Sequence, residues 1–178
     1  MKHQEQTRTG RMLKIVQVLA WVVLMLYVAE AGAILISYTI ACFNTEGTKN
    51  IYRGLNLCDL RQFSFWYYTG FVFLMVALPL MKSWICFLVI KTLSKFNLKN
   101  PFTMEVARRL EKICFGTLGT WFVTLLSTVY TGLLMKITGK TYGNWLSTEF
   151  IAMVGLLFII TTVFRRGVEI QSENELTV

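Results

Sequence analysis

Four long apolar runs constrain this chain more than any other feature of its sequence. They cover residues 15–43, 63–90, 113–135 and 150–164, and the third run contains no charged residue. A bilayer core about 30 Å thick needs roughly 20 mostly apolar residues for each helical crossing. The fourth run is short, so its helix is expected to begin earlier, near Trp145. The runs predict membrane-spanning helices at about residues 13–42, 65–93, 103–135 and 145–168.

Composition agrees with a membrane protein and argues against several other classes. Hydrophobic residues make up 54% of the chain and charged residues 16%, and the mean hydropathy is +0.52. A soluble domain is usually about 45–50% apolar, glycine included, and about 25% charged. These values exclude a soluble enzyme, a secreted disulfide scaffold and a disordered chain. Because about 150 residues is the usual size of one domain, residues 1–178 are predicted to form a single membrane domain with short N- and C-terminal tails.

Basic residues are distributed unevenly between the predicted loops. Twelve lysines and arginines lie in the N-terminal tail, in the 91–112 loop or just after the fourth run, whereas five lie in the other two loops. Because basic residues favour cytoplasmic loops, the sequence predicts an all-α, four-helix transmembrane bundle with both termini in the cytoplasm. The net charge of +8 forms no continuous basic face, so direct nucleic-acid binding is not expected.

The residue types that catalysis requires are almost absent from the apolar runs. The single histidine, His3, lies in the polar N-terminal tail, and the single aspartate, Asp59, lies in an outer loop. Hydrolysis inside a membrane needs a nucleophile with a base, paired carboxylates or a metal. Glu30 has no carboxylate neighbour in the sequence, and no glycine-rich phosphate loop is present. The chain is therefore predicted to be non-enzymatic, with no catalytic residue, no metal and no cofactor.

Glu30 and Lys82 are ionisable residues inside apolar runs. Such residues are costly in a bilayer and usually have a partner facing the interior of the bundle. A rise of 1.5 Å per residue places Glu30 about 22 Å and Lys82 about 12 Å from the inner boundary. In antiparallel neighbours the two side chains would lean toward each other, because each leans toward its own helix N-terminus. The sequence predicts an intramembrane polar pocket shared by both, while separate polar surroundings for each stay open.

The third predicted helix has a recognisable start and a regular stripe of small residues. Thr103 is predicted to be its N-cap, with Glu105 in the first turn, where a carboxylate favours the helix dipole. Small or hydroxyl-bearing residues then recur at every fourth position, which favours close helix packing. A polar conduit along the same face is the alternative interpretation. The stripe consists of Gly116, Thr120, Thr124, Thr128 and Gly132.

The four cysteines fall on two sides of the predicted membrane. Cys42 and Cys58 bracket an outer loop, where a disulfide can form in an oxidising space. Cys86 and Cys114 lie near the inner face without a CxxC pair. A disulfide between Cys42 and Cys58 is therefore one interpretation, and four small apolar thiols are the other.

Two segments at the predicted cytoplasmic face resemble a known family. They are NPFTMEVARRLEKI at residues 100–113 and FRRGVEIQSENELTV at residues 164–178. Over roughly residues 65–178 the chain resembles the YoaS-like family of small bacterial four-helix membrane proteins, a domain of unknown function. Glu175 stands where that family often has aspartate. The resemblance implies a bacterial inner-membrane protein and, because members are often encoded beside a helix-turn-helix regulator, a regulatory partnership.

The predicted function combines this resemblance with the charges of the cytoplasmic ends. The sequence predicts a regulatory or sensory membrane protein that docks a soluble helix-turn-helix regulator. One alternative is a small oligomeric transporter or channel-like protein that uses Glu30, and another is an accessory or immunity protein. Membrane lipid and a second copy of the chain are the other expected partners. The predicted cytoplasmic partner surface consists of Arg108, Arg109, Lys112, Glu169, Glu173 and Glu175.

Overall fold

Helices account for almost all of the chain that the structure describes. The structure is a computed structural model, and it describes residues 2–43, 57–94, 103–142 and 148–176. Within these residues the backbone is 95% helical and has no strand. The prediction of an all-α fold is confirmed. The helices are α1 (Lys2–Phe43), α2 (Cys58–Phe63), α3 (Phe65–Ser94), α4 (Met104–Thr138) and α5 (Thr148–Leu176).

Three helices in the described ranges have the length and apolar composition of a membrane crossing. They are the segment Gly10–Phe43 of α1, the whole of α3 and the whole of α4. Lipid offers no hydrogen bonds to the backbone, so an apolar segment of this length crosses a membrane as a helix. These helices identify a multi-pass membrane protein. α5 occupies the position of the fourth predicted crossing, and the count of four crossings stays a prediction.

Local hydrogen bonds explain where α4 begins and ends. The amide of Val106 donates to the Thr103 hydroxyl at 3.4 Å, as expected of the predicted N-cap residue. At the other end, Gly139 has a φ of +69° and its amide donates to the carbonyl of Met135 at 2.8 Å. This left-handed residue after the last turn is a common helix terminator, because glycine adopts it without strain.

α2 is a six-residue helix that the sequence patterns did not predict. It is held by two fully buried leucines, Leu57 just before it and Leu60 within it. Arg61 donates from its guanidinium to the carbonyl oxygens of Ala41 and Cys42, which belong to the last turn of α1. The last carbonyls of a helix have no partner within the helix. α2 therefore binds the C-terminal end of α1 through both apolar burial and hydrogen bonds.

The contacts between the helices divide the chain into two units. Unit 1 contains Met1–Leu24, Trp84–Gly119 and Thr148–Val178, and unit 2 contains Met25–Ser83 and Thr120–Ser147. α1, α3 and α4 each contribute residues to both units, and the single-domain organisation stays a prediction. The buried apolar cluster of unit 2 consists of Ala31, Ile34, Ala41, Leu57, Leu60, Tyr68, Phe71, Val72, Met75, Val76, Leu134 and Tyr142.

Gly70 of α3 lies close to the side chain of Tyr130 of α4 in unit 2. This contact predicts that an alanine at position 70 destabilises the protein when the Tyr130 hydroxyl is present and stabilises it when the hydroxyl is absent. A Cβ atom at Gly70 would lie 2.9 Å from the hydroxyl of Tyr130, which donates to the carbonyl of Tyr67 at 3.0 Å. We expect the clash in Gly70→Ala to destabilise the protein by about 1–3 kcal/mol. The higher helix propensity of alanine offsets about 0.5–1 kcal/mol of this loss. In a Tyr130→Phe background the clash is removed, so the same substitution is expected to stabilise.

The free energy of unfolding, measured by SDS titration in dodecyl maltoside micelles, checks this expectation. Gly155→Ala is the matched control, because nothing lies within 4 Å of a Cβ atom at Gly155. That variant is expected to gain about 0.5–1 kcal/mol. An equal effect of Gly70→Ala with and without the Tyr130 hydroxyl would contradict the close approach of the two helices.

Candidate functional site

An ion pair joins α4 to α5 in unit 1. The guanidinium of Arg165 lies 2.8 Å from the carboxylate of Glu111 and 3.5 Å from that of Glu169, one turn further along α5. Val168, on the same helix, is buried. The predicted cytoplasmic partner surface has its basic residues on α4 and its acidic residues on α5, whereas this ion pair joins an acidic residue of α4 to a basic residue of α5. The linear pattern identified the charges of each helix but not the rotation of each helix about its axis.

The predicted cytoplasmic partner surface is divided in the structure between internal contacts and exposed side chains. Arg109 donates to the carbonyl of Lys91 at 3.0 Å and to Glu105 at 2.8 Å, so it binds the last turn of α3. Glu169 is bound by Arg165 and, at 3.1 Å, by Arg166. The side chain of Glu175 lies outside the described residues. The exposed members of the surface are Arg108, Lys112 and Glu173.

α5 continues well beyond its apolar run. The run ends at Phe164, but the helix extends to Leu176. Past the Arg165–Glu111 pair, Ile170 is 58% exposed and Glu173 is exposed one turn later. These two residues lie three positions apart, so they share one face of the helix. The end of α5 therefore presents an exposed face with an apolar and an acidic residue, attached to α4 through its base.

In unit 2, Lys82 reaches α1 at Tyr27 rather than at Glu30. The ammonium of Lys82 lies 5.7 Å from the centroid of the Tyr27 ring, a distance typical of a cation–π interaction. Glu30 follows Tyr27 by one helical turn, and no salt bridge joins Glu30 to Lys82 within these described helices. Lys82 thus contacts the region of α1 where the pocket was predicted, but its contact there is the aromatic ring. The shared pocket stays a prediction.

The small-residue stripe of α4 does not follow the buried face of the helix. Thr120 is fully buried, but Gly132 has nothing within 4 Å of a Cβ atom. A step of four residues turns the helix by about 400°, so five such positions drift by roughly 160° around it. Buried hydroxyls instead lie at successive separations of three, seven and four residues, which keep to one side of the helix. The buried hydroxyl residues of α4 are Thr117, Thr120, Ser127 and Thr131.

Hydroxyl groups of α4 bond back to their own helix. Thr117 donates to the carbonyl of Ile113 at 2.8 Å, and Ser127 and Thr131 donate to the carbonyls four residues earlier at 2.8 and 2.7 Å. Thr124 and Thr128, both from the stripe, make the same kind of bond at 2.9 Å. Such bonds satisfy the hydroxyl within one helix. The two interpretations of the stripe, close helix packing and a polar conduit, both stay predictions.

α2 makes polar contacts that the sequence patterns did not predict. Lys140 donates to the carboxylate of Asp59, and this hydrogen bond, followed by the charge of Asp59, raises the pKa of Lys140 above its usual value. Cys42 and Cys58 are not joined by a disulfide, and the thiol of Cys58 accepts a hydrogen bond from Gln62 at 3.7 Å. The disulfide therefore stays a prediction for the oxidised chain. Aspartate and lysine far apart in the sequence offered no signal that they would meet.

The described residues contain no group of three or more histidine, cysteine, aspartate or glutamate side chains that could hold a metal ion.

Among known protein families, the model described as "Protein of unknown function (DUF2975)" matches residues 44–178 of the chain. This region includes both segments on which the family resemblance was based. No curated protein and no solved structure matches the chain.

Proposed function

This chain belongs to the DUF2975 family, and from that premise we propose that it is a four-crossing, non-enzymatic membrane protein that docks a soluble regulator at the end of α5. In this proposal both termini face the cytoplasm of a bacterial inner membrane. The matched family has no described activity, so the proposal rests on the geometry of unit 1. The observation that carries it is the exposed face of α5 beyond its apolar run.

Two contacts of the described residues support this docking surface, defined as Ile170 and Glu173 on α5. The Arg165–Glu111 ion pair attaches the base of the surface to α4, and Val168, three residues further along α5, is buried. Arg109 in turn attaches α4 to the last turn of α3. A helix held in this way is ordered before a partner binds, which reduces the entropy lost on binding.

The chemistry of the surface favours a partner with a basic rim around an apolar pocket. Ile170 supplies an exposed apolar side chain, and Glu173 supplies a negative charge beside it. DNA-binding regulators carry basic surfaces, and charge complementarity of this kind accelerates association and weakens as salt is added. A soluble helix-turn-helix regulator encoded near this chain is therefore the proposed partner.

Replacing the docking surface tests the proposal without removing the base of α5. The variant Ile170→Ser, Glu173→Lys keeps Arg165, Glu111 and Val168, so membrane insertion is expected to be normal. We expect it to lose at least tenfold in co-purification of the neighbouring regulator, because truncating a central interface residue and reversing a charge typically costs more than 1.4 kcal/mol. Deletion of residues 169–178 is expected to remove binding entirely and to change transcription of the local operon.

The matched control is Asp59→Asn, which removes a carboxylate from unit 2. It is expected to retain the regulator at the level of the unaltered chain. If both α5 variants insert normally, retain the regulator and leave transcription unchanged, docking at α5 is wrong. Loss of proton-coupled uptake or resistance in a folded Glu30→Gln variant would then favour the transporter alternative.

A further inference from the structure

Two basic residues on α4 take no part in the ion pairs described for unit 1. Arg108 and Lys112 lie one turn apart and are both exposed, and no described residue forms a salt bridge with either of them. The carboxylates nearest in sequence are already engaged, because Glu105 binds Arg109 and Glu111 binds Arg165. The surface of unit 1 therefore presents two adjacent positive charges that the described protein does not neutralise.

The same face of α4 becomes apolar immediately after these charges. Phe115, three residues after Lys112, is 73% exposed. At about 100° per residue, Arg108, Lys112 and Phe115 lie within about 60° of one another around the helix. An exposed phenylalanine at the start of a membrane-length apolar helix faces lipid, since hydrocarbon is the surrounding that stabilises it.

The axial positions place the two charges at the level of lipid headgroups. At 1.5 Å per residue, Lys112 lies about 4.5 Å and Arg108 about 10.5 Å before Phe115 along the helix. The headgroup layer adds about 5–7 Å to each side of the hydrocarbon core. Long basic side chains near helix ends extend into that layer.

We propose that Arg108 and Lys112 bind the headgroup of an anionic phospholipid whose acyl chains pack on Phe115. Two unneutralised cations complement the phosphate of phosphatidylglycerol, whereas a zwitterionic lipid adds a choline cation that the pair repels. Each basic residue near a membrane surface strengthens attraction to anionic lipid by a similar small amount. Arg109 lies on the neighbouring face of α4 and donates hydrogen bonds to the carbonyl of Lys91 and to Glu105. The two adjacent arginines therefore have different roles.

Lipid titration of the full chain tests this site. The purified protein in dodecyl maltoside micelles is titrated with dioleoylphosphatidylglycerol or dioleoylphosphatidylcholine, and bound lipid is counted by native mass spectrometry. We expect a preference for phosphatidylglycerol. Arg108→Gln and Lys112→Gln should each weaken that binding about fivefold, and the double variant about 25-fold, while phosphatidylcholine binding is unchanged.

Arg166→Gln is the matched control, because it removes an exposed cation that is already paired with Glu169 at 3.1 Å. It is expected to keep the preference for phosphatidylglycerol. The proposal is wrong if the double variant keeps that preference, or if inorganic phosphate at the same concentration displaces the lipid. It is equally wrong if the double variant releases a soluble protein while its lipid binding is unaltered, because the surface would then belong to protein docking.

Discussion

Replacing Leu60 by alanine is expected to lower the free energy of unfolding by about 2–5 kcal/mol, the usual cost of removing a fully buried leucine side chain. Leu60 is fully buried in the cluster of unit 2, although it belongs to a helix of only six residues. An isolated helix of this length is not stable in water. α2 must therefore owe its structure to Leu57, Leu60 and the hydrogen bonds of Arg61 to the end of α1.

The measurement is SDS-induced unfolding in dodecyl maltoside micelles, followed by tryptophan fluorescence. Gln62→Ala is the control within the same helix, because Gln62 is exposed. It is expected to change the free energy by less than about 0.5 kcal/mol. A similar small change for Leu60→Ala would show that α2 does not pack against the rest of unit 2.

Labelling of three engineered cysteines is expected to give an all-or-none result that decides both the orientation of α4 and whether α5 crosses the membrane. In a background where Cys42, Cys58, Cys86 and Cys114 are replaced, single cysteines are placed at the exposed residues Ser94, Lys140 and Glu173. An impermeant thiol reagent added to intact cells is expected to label only the variant at Lys140. The other two should be labelled only after the membrane is permeabilised.

The expectation follows from the prediction that α4 crosses the membrane between Ser94 and Lys140, and that α5 crosses it between Lys140 and Glu173. Twelve lysines and arginines lie in the N-terminal tail, in the 91–112 loop or just after the fourth apolar run, and basic residues favour cytoplasmic loops. Labelling of Glu173 from outside, with Ser94 protected, would mean that α5 does not cross the membrane. Labelling of Ser94 from outside would overturn the orientation itself.

The contacts within the protein say more about the roles of its charged residues than the family match does. The family has no described activity, whereas the contacts indicate which charged residues already have a role within the protein. Arg109, Glu111 and Arg165 hold helices together. The side chains of Ile170 and Glu173 on α5 and of Arg108 and Lys112 on α4 are exposed, which is the property on which the two proposals rest. The two proposed partners use different residues, so the experiments on each are independent.

Helix positions could be predicted from the sequence alone. α3 was expected at 65–93 and spans Phe65–Ser94, and α4 was expected at 103–135 and spans Met104–Thr138. In hydrocarbon an apolar segment satisfies its backbone hydrogen bonds only within itself, so its composition specifies a helix without help from other segments. Apolar composition does not predict the polar ends of these helices. α1 begins at Lys2 rather than at 13, and α5 continues to Leu176 rather than ending at 168.

The tertiary structure alone decided which side of each helix meets another helix. Equal four-residue spacing along α4 linked Thr120 to Gly132, yet one is buried and the other exposed. Lys82 contacts Tyr27, and the ion pair between α4 and α5 is formed by Arg165 with Glu111, whereas Arg109 of α4 binds the last turn of α3. Lipid is as apolar as the side chains, so burial does not favour one rotation of a helix over another. Rotation is decided by many small packing contacts between particular side chains, and those contacts exist only once the helices are assembled.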